Sequence, residues 1–287
     1  MASKKILFAA ALALCSATSA IAQSDFGVWT EIGVEKSFNK KFSLEASVEN
    51  RMAQNATMPQ RWNAAIGGSY KPLKWLKLGA GYVFIYNRSF QETEEKYKEN
   101  DEGEIVLDKN GNPTIVGYNV DHGYWRPRHR AYFDVQGKLD VGRFSFSLRE
   151  RYLYNYYMQA ETMRDKYRNP VQPGYSGETS EYGGMEFMKF EQEMDTKKAK
   201  SKHALRTRLQ VEYDIKGVPL TPFVSCELTN ELDNAMKYDK VRAQAGVEWK
   251  VNKKHILSGA YLYQNESQEV GPNASLHAIK LNYKFKF

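Results

Sequence analysis

Apolar and polar residues alternate along most of this chain, which is typical of β-strands that have one apolar and one polar face. The last twelve residues show the pattern most clearly. Their apolar face consists of Ile279, Leu281, Tyr283, Phe285 and Phe287, and their polar face of Lys280, Asn282, Lys284 and Lys286. The same alternation predicts eleven strands in all, over residues 24–38, 42–51, 62–70, 76–86, 126–136, 144–156, 205–214, 220–229, 240–249, 257–263 and 276–287.

The connections between the predicted strands are alternately tight and long. Tight turns are expected at Asn39, Pro72, Asp140, Lys216 and Asn252. Two of the longer connections cover residues 88–123 and 157–202. Outer-membrane barrels are built in this way, with short periplasmic turns and longer extracellular loops. The chain is therefore predicted to be all-β and to fold as an antiparallel transmembrane β-barrel.

The number of barrel strands is predicted to lie between ten and twelve. Eleven are counted in the sequence, but bacterial single-chain barrels usually have an even number. If the tight turns are periplasmic, an odd number would make the first strand parallel to the last. Twelve strands are therefore favoured, with the twelfth hidden in a long connection. The alternative is that the first segment is not a full barrel strand.

The amino-terminal segment has the features of a secretory signal peptide. Lys4 and Lys5 precede an apolar run over residues 6–14, and Ala20 and Ala22 supply the small residues that a signal peptidase reads. We expect cleavage after Ala22, so that residues 1–22 are the signal peptide and residues 23–287 form a single barrel domain. The expected location is the outer membrane of a Gram-negative bacterium.

The composition is consistent with a barrel, although a soluble β-sandwich could share it. The chain contains 19 Tyr, 14 Phe and 5 Trp, yet its mean hydropathy is −0.63. A polar average with many aromatic residues fits a barrel with an apolar exterior, a polar interior and aromatic girdles. Removal of Lys4 and Lys5 lowers the net charge by two, from +7 to +5, which does not imply a nucleic-acid partner. We expect a monomer without cofactors.

The polar face of the predicted strands carries many arginines, and we expect these to point into the lumen. They are Arg126, Arg128, Arg130, Arg149, Arg151, Arg206, Arg208 and Arg242, and Glu45 and Glu227 lie on the same face. One interpretation is a narrow lumen filled by paired charges, because small barrels are packed inside and buried charges need partners. The alternative is a basic constriction that favours anions, which makes the protein a small-solute channel.

The sequence offers little that indicates catalysis. It contains no Gly-x-Ser-x-Gly motif and no His/Cys cluster with metal spacing. His129 and His277 are expected to face outward as isolated residues, although Ser275 lies near His277. We therefore predict a non-enzymatic protein with no metal site, and we keep an outer-membrane lipid-modifying hydrolase as an alternative. The function favoured here is structural, or binding through the long segments 88–123 and 157–202, because long loops are often functional.

The final strand resembles the carboxy-terminal signal of outer-membrane barrels, in which alternating apolar positions end on a Phe. Tyr283, Phe285 and Phe287 are the candidate recognition residues for the barrel-assembly machinery, and outer-membrane lipid is the other expected partner. We expect no nucleic-acid partner.

Nearly all of the mature chain resembles the uncharacterised bacterial outer-membrane family catalogued as domain of unknown function 2490. The residues that carry the resemblance are Trp29, Arg149 and Arg151, the stretch 205–208 with Glu212 and Tyr213, the stretch 222–231, Arg242 with Gly246, the stretch 261–264, and Phe287. The segments 88–123 and 157–202 are larger than in the family's core pattern. The resemblance implies an outer-membrane location, and it implies no activity and no catalytic residues.

Overall fold

The computed structural model of the protein describes residues 25–267 and 274–287, so the predicted signal peptide lies outside the described residues. Within these ranges the regular structure is β-strand, apart from a short 3-10 turn at Leu232–Asn234. The strands are β1 (Asp25–Ser37), β2 (Phe42–Ala53), β3 (Met58–Leu73), β4 (Leu76–Ser89), β5 (Glu92–Tyr97), β6 (Ile115–Asp121), β7 (Tyr124–Val141), β8 (Phe144–Tyr157), β9 (Ala160–Pro170), β10 (Ser180–Tyr182), β11 (Met185–Lys197), β12 (Lys200–Tyr213), β13 (Leu220–Glu231), β14 (Lys237–Lys250), β15 (His255–Glu266) and β16 (Ala274–Lys286). In the described part of the chain, no helix has the length and apolar character needed to cross a membrane.

Eleven of these strands close into a barrel, in the order β1-β16-β15-β14-β13-β12-β8-β7-β4-β3-β2. The closing pair is parallel: Asp25 lies opposite Leu276, and Glu35 lies opposite Lys286. On its other edge β1 pairs with β2 in the antiparallel sense. The count falls within the predicted range of ten to twelve, but the favoured number of twelve is not what the structure has. The first segment is a full barrel strand, and the parallel closure is what an odd number of strands requires.

The segments that were expected as long loops form a second compact unit, which consists of residues 87–127 and 157–200. This unit contains a five-stranded sheet in the order β10-β11-β9-β6-β5, and its strands pair in the antiparallel sense. No twelfth barrel strand comes from these segments, because their strands pair with one another. The barrel unit consists of residues 25–86, 128–156, 201–267 and 274–287 of the described chain.

The two faces of the barrel wall differ in the way the alternation predicted. Ile32, Val48, Ile66 and Val224 are exposed on the outer face, where apolar side chains dominate. The alternate positions face inward and carry the buried polar residues, which include Glu49, Asp134, Ser225, Glu227 and Arg242. Because successive side chains of a strand point to opposite faces, the assignment of the apolar residues to the outer face also places their polar neighbours inside.

Two of the tight turns are held by asparagine side chains. The Oδ1 atom of Asn39 accepts hydrogen bonds from the backbone N–H groups of Lys41 and Phe42, at 2.7 and 2.9 Å. The Oδ1 atom of Asn252 does the same for Lys254 and His255, at 2.8 and 2.9 Å. Asparagine favours turns because its side chain can replace backbone hydrogen bonds in this way.

The glycines of β3 and β4 make room for one inward aromatic side chain. A Cβ atom added at Gly67 would clash with the hydroxyl of Tyr132, and one added at Gly81 would lie 2.5 Å from the same hydroxyl. The absence of a side chain at these glycines therefore allows the Tyr132 ring to pack closely against the two strands.

Gly67→Ala should destabilise the barrel by about 1–3 kcal/mol, the usual cost of overpacking. The clash is with the hydroxyl oxygen, so Tyr132→Phe in the same chain should recover part of the loss. Urea unfolding of the refolded protein measures both effects. Gly137→Ala is the matched control, since an added Cβ there meets nothing within 4 Å. If Gly67→Ala and Gly137→Ala have equal effects, the packing of Tyr132 has been misassigned.

Candidate functional site

The barrel interior is centred on one buried carboxylate that is shared by three arginines. Glu227 on β13 lies 3.2 Å from Arg149 on β8, 3.4 Å from Arg206 on β12 and 3.2 Å from Arg242 on β14. The side chain of Glu227 is only 6% exposed. Three strands thus supply guanidinium groups to one acid on a neighbouring or nearby strand, and buried charges need such partners.

A second acidic centre lies on β2 and joins the first through an indole ring. Glu49 accepts a hydrogen bond from Arg51 at 2.6 Å and another from Asn63 at 2.5 Å. The guanidinium of Arg51 lies 3.7 Å from the centre of the Trp29 ring, and that of Arg242 lies 5.4 Å from it. The ring of the buried Trp29 therefore has two arginines from different acidic centres over it, and each cation is attracted by the ring's negative π surface.

A third pairing occupies the interior near β7 and β8. Arg151 donates to Asp134 through Nε at 2.9 Å and also through Nη2, which makes a two-bond contact with the carboxylate. The guanidinium of Arg151 also lies 4.0 Å from the centre of the Tyr132 ring. Next to this pair is a cavity of about 90 Å³, which Lys77, Gln136 and Arg149 help to line. This cavity has room for a few water molecules.

Comparison with known proteins identifies the chain's family. The profile of a family described as "Protein of unknown function (DUF2490)" matches residues 26–275. The chain belongs to this family. The match begins in β1 and ends at the second residue of β16, so it covers both insertions and the barrel strands up to the start of β16. It confirms the resemblance predicted from the sequence.

Among the solved structures to which the chain is similar is an anion-selective porin from Comamonas acidovorans. The two chains share 10% sequence identity, the alignment covers 85% of this chain and 82% of the porin, and the TM-score is 0.22. No curated protein matches the sequence.

Most of the arginines predicted to line the lumen of the DUF2490 protein do lie in the barrel unit. Arg130 donates to Asn155 at 2.7 Å, Arg208 donates to Gln210 at 2.5 Å, and Arg128 is buried. Arg126 differs, because it belongs to the second unit, where it donates to the carbonyl oxygens of Met158 and Lys198. Seven of the eight predicted arginines therefore belong to the barrel unit, and Arg126 does not.

Glu45 occupies a different part of the interior from the other predicted acid. Its side chain is 52% exposed and lies 3.4 Å from the ammonium group of Lys284. Glu49 shares the inward face with Glu45, as the alternation predicts. Two residues of the interior were missed by the site prediction: Trp29 and Arg51. Arg51 lies on the same inward face, so the alternation alone could have added it. Nothing in the sequence shows that Trp29 would meet two guanidinium groups.

Four histidines of the DUF2490 protein pair with tyrosines on neighbouring strands of the barrel unit. His129 accepts or donates through Nδ1 to Tyr82 at 2.6 Å, and His255 does so with Tyr283 at 2.7 Å. His203 pairs with Tyr152 at 2.5 Å, and His277 pairs with Tyr261 in the same way. Near His277, Ser275 contacts Tyr263 at 3.4 Å and Asn265 at 3.3 Å. These contacts give each Nδ1 atom a structural partner.

Among the described residues, no group of three or more His, Cys, Asp or Glu side chains is placed to hold a metal ion.

The second unit has one aromatic and one charged face. Tyr118, Val120 and Phe187 form a buried apolar cluster. The rings of Tyr167 and Tyr182 pack against this cluster and stack on each other, with their centres 4.9 Å apart. On the charged side, Asp121 accepts hydrogen bonds from Arg164 at 2.9 Å and Lys197 at 2.6 Å. These bonds, led by the one from Arg164, hold the pKa of Asp121 at about 2, below its usual value. The unit is thus an ordered sheet with its own core.

Proposed function

We propose that this protein is a monomeric outer-membrane β-barrel that is closed by its own interior charges and acts by binding partners through the five-stranded sheet. The observation that carries the closed barrel is the shared carboxylate of Glu227, which engages three arginines in the middle of the interior. Because these side chains neutralise one another's charges and occupy the interior, they do not require a permeating ion as a partner. We propose no catalytic role, because the outward histidines use Nδ1 in tyrosine contacts.

The binding role rests on the ordered state of the two long insertions. By chain order both fall among the long connections, which outer-membrane barrels place outside the cell. Residues 87–127 and 157–200 form a sheet with its own apolar cluster, and Phe190 and Met194 of β11 remain exposed. A structured unit with exposed large apolar side chains is suited to contact a macromolecule.

An anion-favouring channel is the second candidate. It is favoured by the surplus of arginines in the barrel interior and by the Nε atoms of Arg149 and Arg208, which are buried without a hydrogen-bond partner within the described chain. An anion that entered the lumen could use these donors, as rings of arginine do in anion-selective pores. Conduction requires the ion pairs around Glu227 to separate, and conductance measurement distinguishes the two candidates, as argued in the Discussion.

The membrane placement can be tested by placing a charge at two exposed valines. Val224 lies within β13 and is 55% exposed, and Val251 lies in a tight turn and is 44% exposed. If the outer face contacts the bilayer core, Val224→Arg should destabilise the folded barrel by about 2–4 kcal/mol, and Val251→Arg by about 0–1 kcal/mol. The measurement is equilibrium refolding into phosphatidylcholine vesicles over a urea series. A water-exposed wall would make the two variants equal, because both side chains are similarly exposed.

We also propose that Tyr283, Phe285 and Phe287 are the recognition signal for the assembly machinery. The rings of Phe285 and Phe287 stack at 5.8 Å, and Phe287 is 52% exposed. Phe287→Ala should lower the amount of folded protein in the outer membrane several-fold, measured by heat-modifiable mobility of cell extracts. Phe144→Ala, which removes another exposed ring from the start of β8, is the control. Equal yields for Phe287→Ala and the unmodified chain would remove this role.

A further inference from the structure

The cavity of about 90 Å³ in the barrel interior lies where β2, β3, β4, β7 and β8 meet. It is near the end of the barrel that carries the tight turns, because Ser43 and Lys77 in its lining are each the second residue of a strand. The polar side chains of the lining are Lys77, Arg149, Arg151, Glu45, Asp134, Ser43, Ser69, Tyr132 and Gln136. A water molecule takes up about 30 Å³ of the liquid, so the cavity has the size of a small polyatomic ion.

Two cations of this lining have unused donors. Lys77 makes no ion pair within 4 Å and no side-chain hydrogen bond to any residue of ranges 25–267 and 274–287. Arg149 uses only Nη2, which donates to Glu227, and its Nε atom has no acceptor in the described chain. Glu227 is itself shared with Arg206 and Arg242. The positive charge on this side of the interior is therefore only partly compensated.

The two carboxylates of the lining differ in what they still offer to a ligand. Glu45 lies 3.4 Å from the ammonium group of Lys284. Asp134 accepts both hydrogen bonds from Arg151 through Oδ2, so within the described residues its Oδ1 atom has no hydrogen-bond partner. Oδ1 lies against Gly79 of the cavity wall, where an added Cβ would be 2.5 Å away from it. An ionised carboxylate only accepts hydrogen bonds, so Oδ1 requires a ligand that carries a proton.

Two more lysines belong to the inward face at the same end of the barrel. The rings of Phe42 and Tyr70 stack on the outer face, so the alternation places the adjacent Lys41 and Lys71 on the inner face, on the side of Lys77. The N–H of Lys71 donates to the carbonyl of Lys41 at 2.8 Å, which makes the two residues cross-strand neighbours. Their charges add to a positive potential that attracts anions toward the cavity.

We propose that this cavity binds one ion of inorganic phosphate. The ammonium group of Lys77 and the guanidinium of Arg149 compensate its charge, and Oδ1 of Asp134 accepts a hydrogen bond from the proton that the ion retains. Gln136 and the serine hydroxyls supply further donors to its oxygens. Sulfate has the same tetrahedral shape but carries no proton at neutral pH, so it leaves Oδ1 unpaired and is repelled by it. A site with a buried acceptor rejects a ligand that cannot donate to it.

The experiment is isothermal titration calorimetry of the full chain, refolded in neutral detergent micelles at pH 8 and fixed ionic strength. At this pH phosphate and sulfate are both dianions, and only phosphate carries a proton. The unmodified chain should bind one phosphate ion, and it should bind sulfate at least about ten-fold more weakly, because an unpaired buried acceptor opposes binding. Equal affinities for the two ions, or no phosphate binding by the folded chain, would overturn the proposal.

Lys77→Gln tests the cation of the site. It removes no contact within the described chain, so the barrel should still fold, and phosphate binding should weaken about ten-fold or more through loss of a charge-assisted hydrogen bond. Lys253→Gln is the matched control, because Lys253 is an exposed lysine in the tight turn before β15 and does not line the cavity. Equal losses in the two variants would reduce the effect to general surface charge and contradict the site.

Asp134→Asn tests the acceptor. An amide can donate to either ion, so this variant should bind sulfate nearly as well as phosphate. Because Asp134 also holds Arg151, heat-modifiable mobility is used to confirm that the variant folds. If it does not fold, the ratio of the phosphate and sulfate affinities of the unmodified chain still decides the proposal.

Discussion

Epitope tags at the two ends of the barrel chain should be found on opposite sides of the membrane. A tag inserted before Asp25 should be labelled by antibody on intact cells, and a tag after Phe287 only after the outer membrane is permeabilised. The physical reason is the parallel register of β1 and β16, in which Asp25 lies opposite Leu276 and Glu35 opposite Lys286. Strands that run the same way begin at one end of the barrel and finish at the other.

Two internal tags provide the controls for this experiment. The carboxylate of Asp25 accepts hydrogen bonds from the N–H groups of Gln54 and Asn55, both at 3.0 Å. A tag at Asn55 must therefore be labelled together with the tag at Asp25. A tag at Asn252, in the turn before β15, must follow the tag at Phe287, because Lys286 donates to the carbonyl of Lys254. Labelling of both chain ends on the same side would require an even number of strands and contradict the closure.

The barrel could be predicted from the sequence because each of its strands alternates residue by residue between apolar and polar side chains. In β13 the alternation of Val224, Ser225 and Cys226 gives faces that agree with the structure, in which Val224 is exposed and Ser225 is buried. The preference for twelve strands was based on a general rule that bacterial barrels have an even number of strands. No residue of this chain indicated a twelfth strand. The number of strands counted from the sequence pattern, eleven, is the number that the structure has.

The five-stranded sheet of the second unit was not predicted, because both faces of a strand such as β11 look like loop sequence. In β11, Glu191, Glu193 and Asp195 form one face, and the other carries Phe190, Gln192 and Met194. A strand with a charged face and a half-polar face has no clear alternation. Its pairing with β9, which sets Phe190 beside Tyr167, and with β10 makes it part of a sheet.

The interior site was predicted in outline and missed in detail for a related reason. Alternation places Arg149, Arg206 and Arg242 inward, but it does not show that all three meet Glu227. The Arg149–Glu227 contact joins residues 78 positions apart, and that depends on how β8, β12 and β13 are ordered around the barrel. Arg126 was included because the alternation of β7 continues past the point where the chain leaves the barrel unit, and Arg126 itself belongs to the second unit.

Replacing Glu227 alone should be among the most damaging single changes in this protein. Glu227→Ala leaves Arg149, Arg206 and Arg242 without their shared acid, and loss of one partner from a buried ion pair costs about 3–5 kcal/mol. Urea unfolding measures the loss. Glu45→Ala is the control, because its partner Lys284 is half-exposed and such pairs contribute about 0–1 kcal/mol.

Removing all four side chains together should have a different effect from removing the acid alone. The variant with Glu227→Ser, Arg149→Ser, Arg206→Ser and Arg242→Ser leaves none of these charges unpaired, so it should be more stable than Glu227→Ala although more atoms are lost. It should also show discrete conductance steps in a planar bilayer, where the unmodified chain and Glu45→Ala show none. The comparison separates the two proposed functions. If the unmodified chain conducts anions, and if the conductance steps change in Arg149→Ser, the protein is a channel whose arginines select the ion. A silent unmodified chain beside a conducting four-residue variant would mean that the ion pairs around Glu227 are what closes the barrel.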